Sequence, residues 1–146
     1  MVIYLREDGE RLSAWKSISR DGGRIWSVPL RTQMMSCLGR PSTGRLRSGE
    51  IVVTYRVGAG LSTCLGLYVE TPAEALRGFP TEGRTADNPE DYSRQTETRF
   101  AFLDNDRALS PDSGYSGWVQ LPEGDIYVVN YVTDDAPRAQ IRGYVV

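Results

Sequence analysis

Histidine is absent from the 146 residues of this chain, and cysteine occurs only twice. The lack of histidine excludes Ser-His-Asp and Cys-His catalysis, and every His-containing zinc site, within the chain. Cys37 and Cys64 fit no metal-binding spacing, so the sequence predicts no metal and no cofactor, while a disulfide between them stays open. Any chemistry must therefore use Asp, Glu, Tyr, Arg, Lys, Ser or Cys side chains.

The chain also lacks any apolar run whose length approaches the about 18 residues of a transmembrane helix. Its 17 basic and 19 acidic residues give a net charge of −2, which argues against a general nucleic-acid or membrane surface. No signal peptide is recognised, and the strand-like Val2–Leu5 follows Met1 at once. We therefore expect a piece cut from a longer protein, and the sequence predicts no localisation.

What the chain does contain is an Asp-box, the motif S-x-D-x-G-x-x-W, formed by Ser19, Asp21, Gly23 and Trp26. Asp21 can accept hydrogen bonds from backbone N–H groups just ahead of it, which reverses the chain. Gly22 and Gly23 can adopt positive φ at little steric cost. The motif is structural, and it predicts a β-propeller built from repeats.

Glycine (15) and proline (8) separate short apolar runs, as in an all-β chain. Leu46–Val53 and Leu121–Val128 both read L-x-x-G-[DE]-I-x-V, which predicts a strand end, a glycine turn and a new strand in each. Propeller blades run to about 40–50 residues, so the chain holds about three blades, fewer than a closed ring requires.

The alternation of apolar residues predicts the strands of these blades. They are expected at Val2–Arg6, Leu12–Ser19, Ile25–Val28, Glu50–Arg56, Leu61–Glu70, Ile126–Val132 and Arg138–Val146. The proline-rich and charged stretch at about 71–112 is interpreted as an inserted loop, either functional or simply exposed. Within it, Pro72–Leu76 could form a helical turn and Arg99–Leu103 a further strand.

Three segments, 4–29, 39–56 and 112–121, together resemble the sialidases (neuraminidases) and their Asp-box relatives, the BNR-repeat proteins. The resemblance implies an all-β fold, about three blades equivalent to the C-terminal half of a six-bladed propeller. It covers most of the chain outside the insertion, and residues 1–146 are expected to form a single domain. The Asp-box is shared with many proteins that are not sialidases, so its specificity is for the fold.

The resemblance also implies particular roles. Sialidases bind the substrate carboxylate with three arginines and attack the anomeric carbon with a tyrosine. Arg6 then matches a clamp arginine and Tyr115 the nucleophile, whereas Arg56 matches a second clamp arginine only loosely. Ser62 stands where that arginine aligns best, and the remaining site residues would lie in the missing half. Arg40 and Trp118 are further candidates for substrate binding.

Each of these residues also has a structural interpretation. Tyr115 could cover a blade edge, Arg6 could pair with nearby acidic residues, and Trp118 and Trp15 could simply pack. Three functions stay open: a retaining, exo-sialidase-like hydrolase once the missing half is supplied, a non-catalytic glycan-binding module, or a structural propeller. The expected partners are a sialoside-type carbohydrate and a second copy that completes the propeller, with no nucleic acid and no membrane.

Overall fold

The computed structural model describes residues 1–6, 14–34, 37–59, 62–78 and 99–146. These residues form an all-β structure of three antiparallel sheets. The expected turn at 7–10 and the part of the expected insertion at 79–98 lie outside the described residues. No helix in the described part of the chain is both long and apolar enough to cross a membrane.

The N-terminal sheet has the order β1-β2-β3, the central sheet β4-β5-β6-β7 and the C-terminal sheet β10-β9-β8. A four-residue helix, α1, follows β6. The elements are β1 (Val2–Leu5), β2 (Trp15–Ile18), β3 (Leu30–Arg31), β4 (Ser42–Arg45), β5 (Ile51–Ala59), β6 (Ser62–Glu70), α1 (Pro72–Ala75), β7 (Arg99–Asp106), β8 (Gly117–Gln120), β9 (Ile126–Val132) and β10 (Gln140–Val145).

The central sheet lies between the other two, because its strands alternate apolar residues toward both of its faces. One core joins the N-terminal sheet to the central sheet and contains Tyr4, Ala14, Met34, Cys37, Val53, Tyr55, Val57, Cys64 and Tyr68. The other joins the central and C-terminal sheets and contains Val52, Leu65, Leu67, Val69, Ile126 and Val128. The molecule therefore has two internal seams, called here the N-terminal seam and the C-terminal seam.

The Asp-box forms the predicted turn in the N-terminal sheet. Asp21 accepts hydrogen bonds from the Ser19 hydroxyl (2.7 Å) and from the backbone N–H of Ile25 (3.0 Å). Gly23 has a φ of 93°, and the Trp26 indole donates to its carbonyl oxygen (3.0 Å). The predicted hydrogen-bond acceptor role of Asp21 is thus confirmed.

The strand expected at Ile25–Val28 is wrong, because the returning strand is β3, Leu30–Arg31. The backbone N–H groups of Arg24 and Ile25 are already bonded to Asp21, so they cannot pair with β2. Ser27 donates one isolated backbone hydrogen bond to the Ile18 carbonyl oxygen of β2 (2.9 Å), and the regular ladder begins only at Leu30, after Pro29, whose nitrogen carries no hydrogen.

The paired L-x-x-G-[DE]-I-x-V segments form equivalent hairpins, as predicted. Gly49 and Gly124 have φ values of 97° and 119°, and each donates its N–H to the leucine that opens its segment (2.9 and 3.1 Å). The strands that follow, β5 and β9, are the second strands of their sheets.

The predicted turn at Pro72–Leu76 and strand at Arg99–Leu103 are both confirmed, as α1 and as the start of β7. Because β7 pairs with β6, it belongs to the central sheet. The residues of β7 are therefore not part of an inserted loop, although they lie within the stretch at about 71–112 that is interpreted as one from its sequence. Cys37 and Cys64 are free and buried. Both pair with Val57, from opposite sides, so the width of a strand separates them and no disulfide forms.

Candidate functional site

The loop between β7 and β8 is anchored by Asp106, which is 1% exposed. Its carboxylate accepts four hydrogen bonds, at 2.8–3.1 Å, from the backbone N–H groups of Ala108, Asp112, Thr133 and Asp134. These bonds tie the loop before β8 to the turn after β9. The hydrogen bonds to Asp106 therefore hold the first part of the loop that carries Tyr115 in place.

Gly114 lets this loop approach the central sheet. Its φ is 104°, and its N–H donates to Asn130 Oδ1 (3.0 Å). A Cβ atom on Gly114 would lie 2.7 Å from Arg56 Cβ, and one on Gly39 would lie 2.5 Å from the same atom. Arg56 thus lies between two glycines, whose lack of side chains makes room for it. Its guanidinium lies near the C-terminal seam.

Tyr115 follows with a φ of 60°, a left-handed conformation that is uncommon for a tyrosine. Its ring is 55% exposed and lies near two cations. The guanidinium carbons of Arg40 and Arg56 lie 5.4 and 5.7 Å from the ring centroid, within the range of cation–π attraction. The backbone strain therefore serves to hold an exposed phenol beside two arginines.

Two further residues complete this group. The ring of Tyr131, on β9, lies 5.9 Å from that of Tyr115. The Tyr131 hydroxyl donates to Asp112 Oδ1 (2.7 Å), and Arg56 Nη1 lies 3.8 Å from the same oxygen. We call Arg40, Arg56, Asp112, Tyr115 and Tyr131 the open cluster.

The open cluster carries two guanidinium charges and one carboxylate, so it has a net positive charge. Burial and the hydrogen bond to Asp112 raise the pKa of Tyr131 to about 12, so this phenol stays protonated at neutral pH. Arg56 Nε is buried and has no hydrogen-bond partner among the described residues. A buried N–H donor without an acceptor is costly, and an anionic ligand would supply one.

The structure thus brings together three predicted site residues: Arg40, Arg56 and Tyr115. Arg6 follows β1 in the N-terminal sheet and lines a separate pocket of about 470 Å³ with Leu5, Trp15 and Pro29. The Trp118 indole donates to the Ser42 carbonyl (3.3 Å) and packs where a Cβ on Gly44 would stand. Trp118 therefore fills the space between β8 and β4. Ser62 begins β6.

Sequence reasoning did not identify Asp112 or Tyr131 as site residues. A signal for Tyr131 was present, because it stands ten residues after Leu121, as Arg56 stands ten residues after Leu46. Extending the repeat alignment by these residues would have placed both at equivalent positions in the second strand of a sheet. Asp112 has no such signal, since its role depends on the fold of the loop.

A second polar group lies in the N-terminal seam. We call its members, Tyr4, Lys16, Tyr68 and Glu70, the closed cluster. Lys16 and Glu70 form an ion pair (Nζ to Oε2, 3.2 Å) whose side chains are 2% and 1% exposed. Tyr4 and Tyr68 both donate their hydroxyls to Glu70, the latter at 2.7 Å, and Lys16 also donates to the Glu74 carbonyl oxygen (2.6 Å). Burial lowers the pKa of Lys16 and raises that of Tyr4. The closed cluster is sealed from solvent, so it joins two sheets rather than binding a ligand.

Comparison with known proteins adds no relative: no family model, curated protein or solved structure matches this chain. The geometry and chemistry of the open cluster are therefore the basis for its proposed function.

Proposed function

We propose that this chain is a sialidase-like propeller unit that recognises the carboxylate of a sialic-acid-type sugar at the open cluster. The observation that carries the proposal is the placement of the exposed Tyr115 within 6 Å of the guanidinium groups of both Arg40 and Arg56. Planar guanidinium groups match a carboxylate with two parallel, charge-assisted hydrogen bonds. An exposed phenol beside them offers a flat surface for a sugar ring.

The arrangement of the strands supports the propeller. Arg40 and Tyr115 each come shortly before the first strand of their sheet, β4 and β8. These two strands are neighbours across the C-terminal seam, where Trp118 packs against Gly44. In a propeller the first strands of successive blades surround a common axis, so residues just before them meet at one end of it.

Recognition without hydrolysis is the function that the geometry supports best. A tyrosine nucleophile requires a base or another group that favours loss of its proton. Among the described residues the carboxylate of the open cluster, Asp112, accepts its hydrogen bond from Tyr131 rather than from Tyr115. Binding needs only the cations and the exposed ring, and both are in place.

Hydrolysis is the second candidate, and a specific observation favours it. Two guanidinium groups within 6 Å of the Tyr115 ring place a candidate nucleophile beside the cations that would bind the substrate carboxylate. In that reaction the Tyr115 hydroxyl loses its proton as its oxygen bonds to the anomeric carbon, the glycosidic bond breaks, and the leaving oxygen takes up a proton. Water then cleaves the sugar from the tyrosine.

Binding is tested by calorimetric titration with a methyl sialoside and with a neutral methyl galactoside. We expect the sialoside alone to bind, and Arg40→Ala to weaken its binding by about tenfold or more, the loss of one charge-assisted contact. Arg20→Ala is the matched control, because Arg20 is also exposed but lies in the Asp-box turn. Equal binding of both sugars, or equal weakening by both substitutions, would contradict the proposal.

Hydrolysis is tested with an aryl sialoside. The second candidate predicts turnover that Tyr115→Phe abolishes and Tyr131→Phe reduces only in part. Absence of turnover in the unaltered protein would rule out hydrolysis by this chain, and the sugar titration then decides whether it recognises the sugar.

A further inference from the structure

The outer face of the C-terminal sheet is apolar. Alternation along β8, β9 and β10 directs one set of side chains to the second core and the other set away from it. The outward set is exposed and includes Val119 (53%), Tyr127 (39%), Val129 (37%), Ile141 (75%) and Val145 (63%). Contiguous apolar surface of this kind is rare on a monomer and marks an interaction site.

The outer face of the N-terminal sheet is its counterpart at the opposite end of the molecule. Tyr4 and Ala14 turn toward the central sheet, so the alternate residues Ile3, Leu5 and Trp15 turn away from it. Ile3 is 40% exposed, and Leu5 and Trp15 line the pocket of about 470 Å³. This face is therefore both apolar and recessed.

We infer that a second copy of this chain covers both faces, with the outer face of each C-terminal sheet packed on the outer face of the partner's N-terminal sheet. The two internal seams already pack sheet face on sheet face. Counting only residues that the structure describes, a stack of three such sheets leaves one face at each end without a covering element, and a copy of the same chain supplies the matching face for both. Two copies then close a ring of six sheets with two-fold symmetry.

The area available fits a weak, reversible interface. The N-terminal sheet is the smaller face, because its strands have four, four and two residues, and it measures roughly 13 by 14 Å, about 180 Å² per side of each new seam. Two seams would bury roughly 700 Å² in total, at the small end of the range, where weak and transient complexes lie.

Sedimentation velocity in the micromolar range, without sugar, tests the inference. We expect a species of twice the 16.3 kDa chain mass that dissociates on dilution. Ile141→Glu should weaken the association by about tenfold or more, since it places a charge in the C-terminal face. Ile25→Glu is the matched control: Ile25 is 74% exposed, against 75% for Ile141, but it lies in the Asp-box turn.

Ile3→Glu, on the opposite face, should weaken the association as much as Ile141→Glu does, because both residues belong to the same seam. Circular dichroism establishes that each variant is folded. A monomer at every concentration, or growth to assemblies larger than two copies, would overturn the inference. So would a dimer that Ile141→Glu leaves unchanged or that Ile25→Glu also dissociates. The sugar titration is a separate measurement, so the two proposals can fail independently.

Discussion

The two seams of this protein use the same side-chain types for different purposes. Each contains tyrosines, a carboxylate and at least one cation. In the closed cluster, Lys16 and Glu70 are 2% and 1% exposed and are bonded to each other. In the open cluster, Tyr115 is 55% exposed and Arg56 Nε has no hydrogen-bond partner among the described residues. The difference in burial, not in composition, separates a group that joins sheets from a group that can receive a ligand.

Electrostatics explains why burial has this effect. A buried charge must be compensated within the protein, and Glu70 receives hydrogen bonds from two tyrosines and one lysine. An exposed guanidinium is compensated by water, which a ligand carboxylate can displace. The closed cluster should therefore dominate stability, whereas the open cluster should dominate recognition.

The largest effect is expected from Glu70→Gln. This substitution leaves Lys16 charged and buried without its counter-ion, which should cost about 3–5 kcal/mol of unfolding free energy. Glu50→Gln is the matched control, because Glu50 also forms an ion pair, with Arg99, but at the surface, and its loss should cost about 1 kcal/mol or less. Urea denaturation measures the unfolding free energy of both variants. Similar losses would contradict the expectation that the closed cluster contributes more to stability than a surface ion pair.

A smaller effect is expected from Gly114→Ala. The new Cβ would lie 2.7 Å from Arg56 Cβ in a backbone with a φ of 104°, so we expect a loss of about 1–3 kcal/mol and weaker sialoside binding. Gly124→Ala is the control, because its φ is 119° but nothing lies within 4 Å of the added atom. Gly124→Ala should lose less stability and leave sialoside binding unchanged. Reduced sialoside binding in Gly124→Ala would show that binding does not depend on the geometry at Arg56.

The smallest effect on stability is expected from Asp112→Asn, at less than about 1 kcal/mol, because Asp112 is mostly exposed. Its effect should appear in the titration of Tyr131, whose pKa of about 12 depends partly on this carboxylate. A folded-state pKa raised above the usual 10 gives a contribution to stability that is complete below pH 10 and is lost as the pH rises to about 12. Asp112→Asn should reduce this loss.

Ultraviolet difference spectra of tyrosine ionisation measure that shift, with Tyr131→Phe identifying which transition belongs to Tyr131. An unchanged titration curve in Asp112→Asn would mean that the hydrogen bond between Asp112 and Tyr131 does not control the pKa of the Tyr131 phenol.

The contrast between local and distant contacts also explains what the sequence could predict. The Asp-box was predicted in detail, because each of its hydrogen bonds joins residues at most four positions apart. The hairpins at Gly49 and Gly124 were predicted for the same reason, and repetition supported them. The position of β3 was missed because Asp21 takes the amide groups that an ordinary hairpin would pair.

The two clusters depend on contacts that sequence order conceals. Tyr4 and Glu70 are 66 positions apart, and nothing in the pattern of either segment indicates that they meet. Arg40, Arg56 and Tyr115 were named by resemblance to the sialidases, and the structure brings them together, whereas it places Arg6 beside a different pocket. Asp112 required the fold, because Asp106 and Gly114 determine where its loop meets the central sheet, whereas an extended repeat alignment would have indicated Tyr131 on β9.

The most direct test of the account observes Arg56 itself, through the Nε–H resonance of its guanidinium in nitrogen-15 NMR spectra. This donor is buried in the C-terminal seam and has no acceptor among the described residues. Titration with a methyl sialoside should shift the resonance in a saturable way, and a neutral methyl galactoside should not. No shift with the sialoside, or an equal shift with the neutral sugar, would contradict the assignment of the open cluster as a carboxylate-recognition site.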